Sequence, residues 1–231
     1  MNENIEKESF FKLLQKKIEN NLKLISISFF LIIILFLSIQ LYFFYENKKI
    51  LKTSIKYNQV KSIESDVNFY EDINNLSKEK NFFGILATLE KIKAELKNDD
   101  TQSAYDEYIN LLNNNNLSNL YKSAIAVHGS YNFLDKLSNQ EKISMIDKGK
   151  VSNILEKVEN LISFIDPKLE NYQGFILEIK FLTLIAKSEI DNNNLIDNEL
   201  KNLYEEISQN KNLPSSLKER VKIIYEFKIY K

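Results

Sequence analysis

Hydrophobic positions along the chain fall into two regimes. Residues 24–45, LISISFFLIIILFLSIQLYFFY, form a long apolar run without a charge. Beyond it, apolar residues recur every three or four positions among lysines, glutamates and asparagines, the spacing of amphipathic helices. At about 1.5 Å per residue the apolar run makes a helix roughly 33 Å long, enough to cross a hydrocarbon core of about 30 Å. Ser26, Ser28, Ser38 and Gln40 are tolerable there, since a hydroxyl can bond back to the helix backbone. Tyr42 and Tyr45 stand at the far end, where amphipathic rings favour the headgroup layer. A cleaved signal peptide would have a shorter apolar core and a small-residue cleavage site. This run ends in LYFFYENKK, so an uncleaved anchor is expected.

The tail 1–23 carries Phe10, Phe11, Leu13, Leu14 and Ile18 at helical spacing. It reads either as a short amphipathic helix on the membrane surface or as an extension of the span. Residues 46–80 read as a stalk helix and linker. Ile55, Ile63, Val67, Tyr70 and Ile73 keep rough helical spacing, and a break falls near 74–81.

Residues 81–231 predict a helical domain. A helix over about 82–96 places Phe82, Ile85, Leu86, Leu89, Ile92 and Leu96 on one side. Asp99 or Asp100 can cap the next helix, which runs to about Leu112 with Ala104, Tyr105, Tyr108, Leu111 and Leu112 inward. A third helix opens near Ser118 and presents Leu120, Ala124, Val127, Tyr131 and Leu134. Within it Ala126, Gly129 and Ser130 make either a surface for close helix approach or the filling of a tight corner. Ser138 and Glu141 have capping-box spacing, opening a helical region to about Ile165 that is interrupted near Gly149. Asp166–Pro167 stops it, because the residue before proline avoids helical geometry. The stretch 172–190, YQGFILEIKFLTLIAKSEI, is apolar nearly all round and predicts the central core helix. A turn at 191–194, a helix over about 196–209 and a last helix opened by Ser216 and Glu219 complete the pattern.

Residues 96–120 and 190–217 echo one another: helix end, Asp/Asn turn, helix, polar turn, serine-capped helix. First helices of successive pairs start near 82, 118, 172 and 215. Tetratricopeptide repeats have a period of about 34, so these longer, uneven spacings predict a degenerate array closed by an unpaired final helix. The fold class expected is all-α: one N-terminal transmembrane helix followed by a degenerate tetratricopeptide-like helical-hairpin array.

Composition agrees with long helices. Only 4 Gly and 2 Pro occur in 231 residues, too few for a many-turned β-sandwich. The net charge of -1 gives no nucleic-acid footprint. Cysteine is absent, which excludes disulfides and thiolate chemistry but leaves the compartment open. Abundant Asn, Lys and Ile fit the codon bias of an AT-rich genome, and NNNN at 113–116 reads as a lengthened turn. Lysines flank the span on both sides: Lys7, Lys12, Lys16, Lys17 and Lys23 before it, Lys48, Lys49, Lys52, Lys56 and Lys61 after it. The positive-inside count is a tie, and orientation stays open.

No reaction is visible. His128 is the single histidine, and without cysteine or a second histidine a transition-metal site has no ligand set. Asp99–Asp100 and Glu205–Glu206 read as a helix start and a solvated face. No GxxxxGK[ST], GxGxxG or GxSxG occurs. Catalytic, cofactor-binding and metal-binding residues are therefore assigned as none. The 12 Tyr and 15 Phe should mostly fill the core. Any that line a groove would suit peptide segments.

The order of lysine-rich tail, single span, stalk and helical hairpins resembles the YfgM-like ancillary subunits of the Sec translocon. Residues 82–112 and 172–227 carry the resemblance best. LPSSLKERVKIIYEF at 213–227 looks like the family's closing segment. Asn98-Asp99 and Asp191-Asn192 stand where the family tends to have Gly-Asp turns, and bulkier residues near Ile196–Leu200 replace a usual small alanine. The resemblance implies a single-pass protein of the bacterial inner membrane, N-terminus cytoplasmic and C-terminal domain periplasmic. It implies Sec translocon subunits, periplasmic chaperones or exported chains as partners, with the lipid bilayer engaged through 24–45. A scaffold or assembly factor of another envelope complex shares the same anchor and fold. A membrane-tethered enzyme has the weakest support.

Overall fold

The computed structural model describes residues 17, 20–62, 68–114, 116–138, 147–191 and 194–230. The described residues are helical throughout, without a strand. The elements are α1 (Leu22–Lys61), α2 (Phe69–Ser77), α3 (Phe82–Lys97), α4 (Thr101–Leu112), α5 (Asn119–Ser138), α6 (Lys148–Ile162), α7 (Glu170–Ile190), α8 (Asn194–Gln209) and α9 (Ser215–Ile229). The tail residues Phe10, Phe11, Leu13, Leu14 and Ile18 lie outside the described residues.

α1 is long and apolar enough to cross a membrane, and the side chains of its apolar part are not buried by other described residues. Ser28 and Ser38 donate to the carbonyls of Leu24 and Ile34, at 2.9 and 2.8 Å, so these two hydroxyls are satisfied within the helix. The stalk differs from the single helix that its spacing predicts. α1 continues unbroken to Lys61, and α2 is a separate helix that folds back along it. Tyr57 and Val60 of α1 are buried with Ile73 and Leu76 of α2 and Ala87 of α3. Of the apolar positions read for this stretch, Ile73 serves that three-helix junction, Ile55 and Tyr70 are exposed, and Ile63 and Val67 lie outside the described residues; the junction joins α1 to the helices that follow it.

Cross-helix contacts set the directions. Lys49 pairs with Glu79 at 3.3 Å, Asn81 donates to Thr53 at 3.2 Å and Lys61 donates to Glu90 at 2.8 Å, so α3 runs parallel to α1. α4 returns antiparallel, with Lys91 on Glu107. α5, α7 and α9 run parallel to one another: Tyr131 meets Glu178, and Glu178 and Glu189 meet Arg220 and Lys228. Odd-numbered helices thus point one way, and α4 and α6 pack together among the returning ones.

The main core gathers α3–α7 around Tyr108, Phe133, Ile154, Leu161 and Ile179, all 0–1% exposed. A second cluster joins Phe181 of α7 to Leu200, Ile207, Leu213 and Val221. α7 lies between the two, Ile179 and Ala186 facing the first and Phe181 the second, which explains its nearly encircling apolar pattern.

Three local expectations are corrected. The buried side of α5 is Ser123, Ile125, Ala126, Gly129, Ser130, Phe133, Leu134 and Leu137; Leu120 is 53% exposed and Ala124 is also exposed. Small residues face inward because α4 and α6 approach closely: a Cβ on Gly129 would lie 3.0 Å from Leu161 Cδ1 and 3.2 Å from Tyr108 Cε1. Ser138 ends α5, donating to the Asp135 carbonyl, so it opens no capping box; Glu141 lies outside the described residues, and α6 is capped by Asp147, which accepts from Gly149 at 3.0 Å. α9 begins at Ser215 behind Pro214 with no side-chain cap. Proline already supplies the fixed backbone that starts a helix, and Ser216 lies within the first turn.

Candidate functional site

A concavity lies between α3 and α5 among the described residues, and helix capping shapes both ends of α3 beside it. Asn81 is extended, and its side chain accepts from the amides of Phe83 and Gly84 at 3.0 and 3.2 Å. Its amide nitrogen donates to Thr53, fixing the start of α3 against α1. Gly84 is required here. A Cβ on it would lie 1.8 Å from the Glu79 carbonyl oxygen, so any side chain would push the α2–α3 turn off the helix.

At the other end of α3, Asp99 takes the left-handed conformation, φ 63°, and Asp100 caps α4 by accepting from Ser103 at 3.0 Å. Lys136 of α5 pairs with Asp99 and donates to the Leu96 carbonyl. This clamp joins α3 and α5 at their C-terminal ends, whereas their N-terminal ends stand apart. The cleft of about 840 Å³ occupies the gap, with Ile85 and Leu89 of α3, Leu111 of α4, and Tyr121 and Ile125 of α5 among its lining. Such a volume suits a bulky apolar side chain or a short peptide segment. Phe82 and Tyr121 are 53% and 55% exposed at its open end.

His128 lies on the cleft wall. Its Nδ1 is 2.9 Å from the hydroxyl of Tyr108, which accepts from Asn132 at 2.8 Å. The phenol and the imidazole thus share one hydrogen bond, in which either the phenol or an Nδ1–H can be the donor. Burial lowers the His128 pKa below the ordinary histidine value, opposed by Glu90, and favours the neutral ring. The histidine is thus a wall residue tied into the core. Asp99 and Asp100 do connector and capping work, and Glu205 and Glu206 are exposed on α8. Among the described residues, no group of three or more His, Cys, Asp or Glu is placed to hold a metal.

Helical spacing marks Phe82, Ile85, Leu89 and Leu111 as inward core positions and not as the lining of a cleft, and Phe82 is in fact exposed. Tyr121 looks like any turn-flanking aromatic, and Phe82 has the position of an inward residue. The available signal was Gly84, one of only 4 glycines, at the start of an otherwise regular helix. Comparison with protein-family models, with curated proteins and with solved structures found no match.

Proposed function

We propose that the chain is a membrane-anchored protein–protein interaction module with a degenerate tetratricopeptide-like helical domain. It would work beside the export channel in the manner of the YfgM-like translocon subunits it resembles. The parallel stacking of α5, α7 and α9 with antiparallel returns supports the array reading. The orientation that goes with it places the N-terminus in the cytoplasm and the helical domain in the periplasm of a bacterial inner membrane.

The observation that carries the reading is the apolar cleft between α3 and α5. Helical-repeat arrays bind partners on concave surfaces, and this cleft lies beside the start of α3, the end tied to α1. An apolar segment of an exported chain, still unfolded at the membrane, fits the lining; translocon subunits and chaperones would act as neighbours. The domain needs no chemistry of its own for this role.

A photoreactive amino acid at Tyr121, in the full chain in native membranes, tests the reading. Adducts with exported chains or translocon subunits are expected, absent when the same group replaces Glu205. Equal adduct patterns at both positions, or a C-terminal reporter found in the cytoplasm, would contradict it.

A further inference from the structure

The turn between α2 and α3 points back along the anchor helix. α2 runs against α1, with Asp72 at Lys56 and Glu79 at Lys49, and α3 then runs away again from Thr53 toward Lys61. The turn Lys78–Asn81 is therefore the tip of a helical hairpin directed at the end of the apolar span. Its height can be read from α1. Lys49 and Thr53 lie four and eight residues past Tyr45, about 6 and 12 Å along the helix. The headgroup layer on each side of a bilayer is about 5–7 Å thick. Glu79 thus stands near its outer boundary and Asn81 about 6 Å above it, within reach of the side chains at the tip.

The groups at this level suit an anionic lipid surface. Lys48, Lys52, Lys78 and Lys80 are exposed, while Lys49 and Lys56 are paired with Glu79 and Asp72. Glu46 is the opposing carboxylate, and it is half-buried. Phe82 follows the tip directly, over half exposed and edge-on to Phe83 at 5.7 Å. Rings and lysines in one plane above a span are the composition of an interfacial anchor. Basic groups within a Debye length of an anionic leaflet are attracted to it.

We infer that the α2–α3 tip is a second membrane contact, in which Phe82 enters the headgroup layer and Lys48, Lys52, Lys78 and Lys80 bind anionic lipid. The tip would then hold the open end of the α3–α5 cleft against the bilayer surface. This inference rests on α1 crossing the membrane but not on what the cleft binds.

The chain has no tryptophan, so single-tryptophan variants of the full chain report their own surroundings. Leu35→Trp, Phe82→Trp and Ile229→Trp are reconstituted in phosphatidylcholine vesicles with and without phosphatidylglycerol, using lipids brominated at shallow and deep positions. Leu35→Trp should be quenched by deep bromines in both, and Ile229→Trp by neither. Phe82→Trp should be blue-shifted and quenched by shallow bromines when phosphatidylglycerol is present. Adding Lys78→Gln and Lys80→Gln, or salt at about 0.5 M, should reduce that quenching to the phosphatidylcholine level. Phe82→Trp behaving like Ile229→Trp while Leu35→Trp is quenched overturns the tip contact and leaves the anchor standing. Loss of quenching at Leu35→Trp removes both. Quenching of Phe82→Trp indifferent to anionic lipid overturns the role of the lysines.

Discussion

Arg220 donates from Nε and Nη2 to the two carboxylate oxygens of Glu178, at 3.0 and 2.9 Å. The pair joins α9 to α7, and Tyr131 of α5 donates to the same carboxylate at 2.7 Å. One buried glutamate thus ties three successive parallel helices, and the chain's single arginine supplies the fork that a lysine could not. Arg220→Met leaves a buried carboxylate with one donor and should cost about 2–3 kcal/mol. Arg220→Lys should recover only part of that. Thermal melts of the full chain in detergent decide it: equal melting temperatures for Lys and Arg at this position would show that the bidentate geometry contributes nothing.

Glu95 is the opposite case, a buried carboxylate short of partners. It is 6% exposed; Tyr70 donates to Oε1 at 3.4 Å, Lys91 is 3.8 Å away, and Oε2 has no hydrogen-bond partner among the described residues. Burial raises its pKa above the ordinary glutamate value, with Lys91 opposing and Glu107 adding to the rise. The folded state therefore holds the proton more tightly than the unfolded chain does. Stability falls as pH rises from the unfolded glutamate value through the raised one, and ionised Glu95 carries a penalty above it. Glu95→Gln should raise the melting temperature at pH 7, and the gain should vanish below about pH 4, where both states are protonated. A lower melting temperature for Glu95→Gln at pH 7 would mean that the Lys91 contact outweighs burial.

Much of this architecture was legible in the sequence because the helices announce themselves. The ends of α3, α4, α7 and α8 fall within two residues of the boundaries that Asp100, Leu112, Ile190 and the 191–194 turn suggest. The inward side of α5 was legible in part: Leu134 and the small cluster Ala126, Gly129 and Ser130 are buried as their pattern suggests, whereas a hydrophobicity pattern favours Leu120 over Ser123. Close packing selected the small residues: Ser130 donates to the Ala126 carbonyl one turn back, and Ser123 accepts from the distant Asp166 amide. The fold-back of α2 was hidden for a related reason: Tyr70 and Ile73 keep the period of the preceding helix although they belong to the next one. The cleft depends on a splay between α3 and α5, set by a clamp 40 residues apart in sequence, Lys136 on Leu96, and no local pattern encodes such a distance.

Ala186 tests the placement of the core. It is 5% exposed on α7 and belongs to the main cluster. Ala186→Glu would bury a carboxylate with no partner, which exceeds the usual range of point substitutions and should cost more than about 4 kcal/mol. The substitution should abolish the cooperative melt of the helical domain. Ala186→Gly, which removes only a methyl and some helix propensity, should leave a melt lowered by about 1 kcal/mol. A full-height, unshifted transition for Ala186→Glu would place the core elsewhere.

Gly84 separates the geometry of the tip from its composition. The first turn of α3 rests directly on the Glu79 carbonyl, leaving no room for a Cβ. Gly84→Ala must move backbone, since the obstructing atom is a main-chain oxygen, and overpacking of this kind costs about 1–3 kcal/mol. The strain falls on the Asn81 cap and its bond to Thr53, both of which hold the hairpin against α1. Amide hydrogen exchange in the full chain should therefore speed up at the start of α3 and through α2, while α7–α9 keep their protection. Because alanine is the better helix former, the opposite result, slower exchange across α3, would show that the turn yields freely and that Gly84 is not what sets the position of the start of α3 beside the cleft.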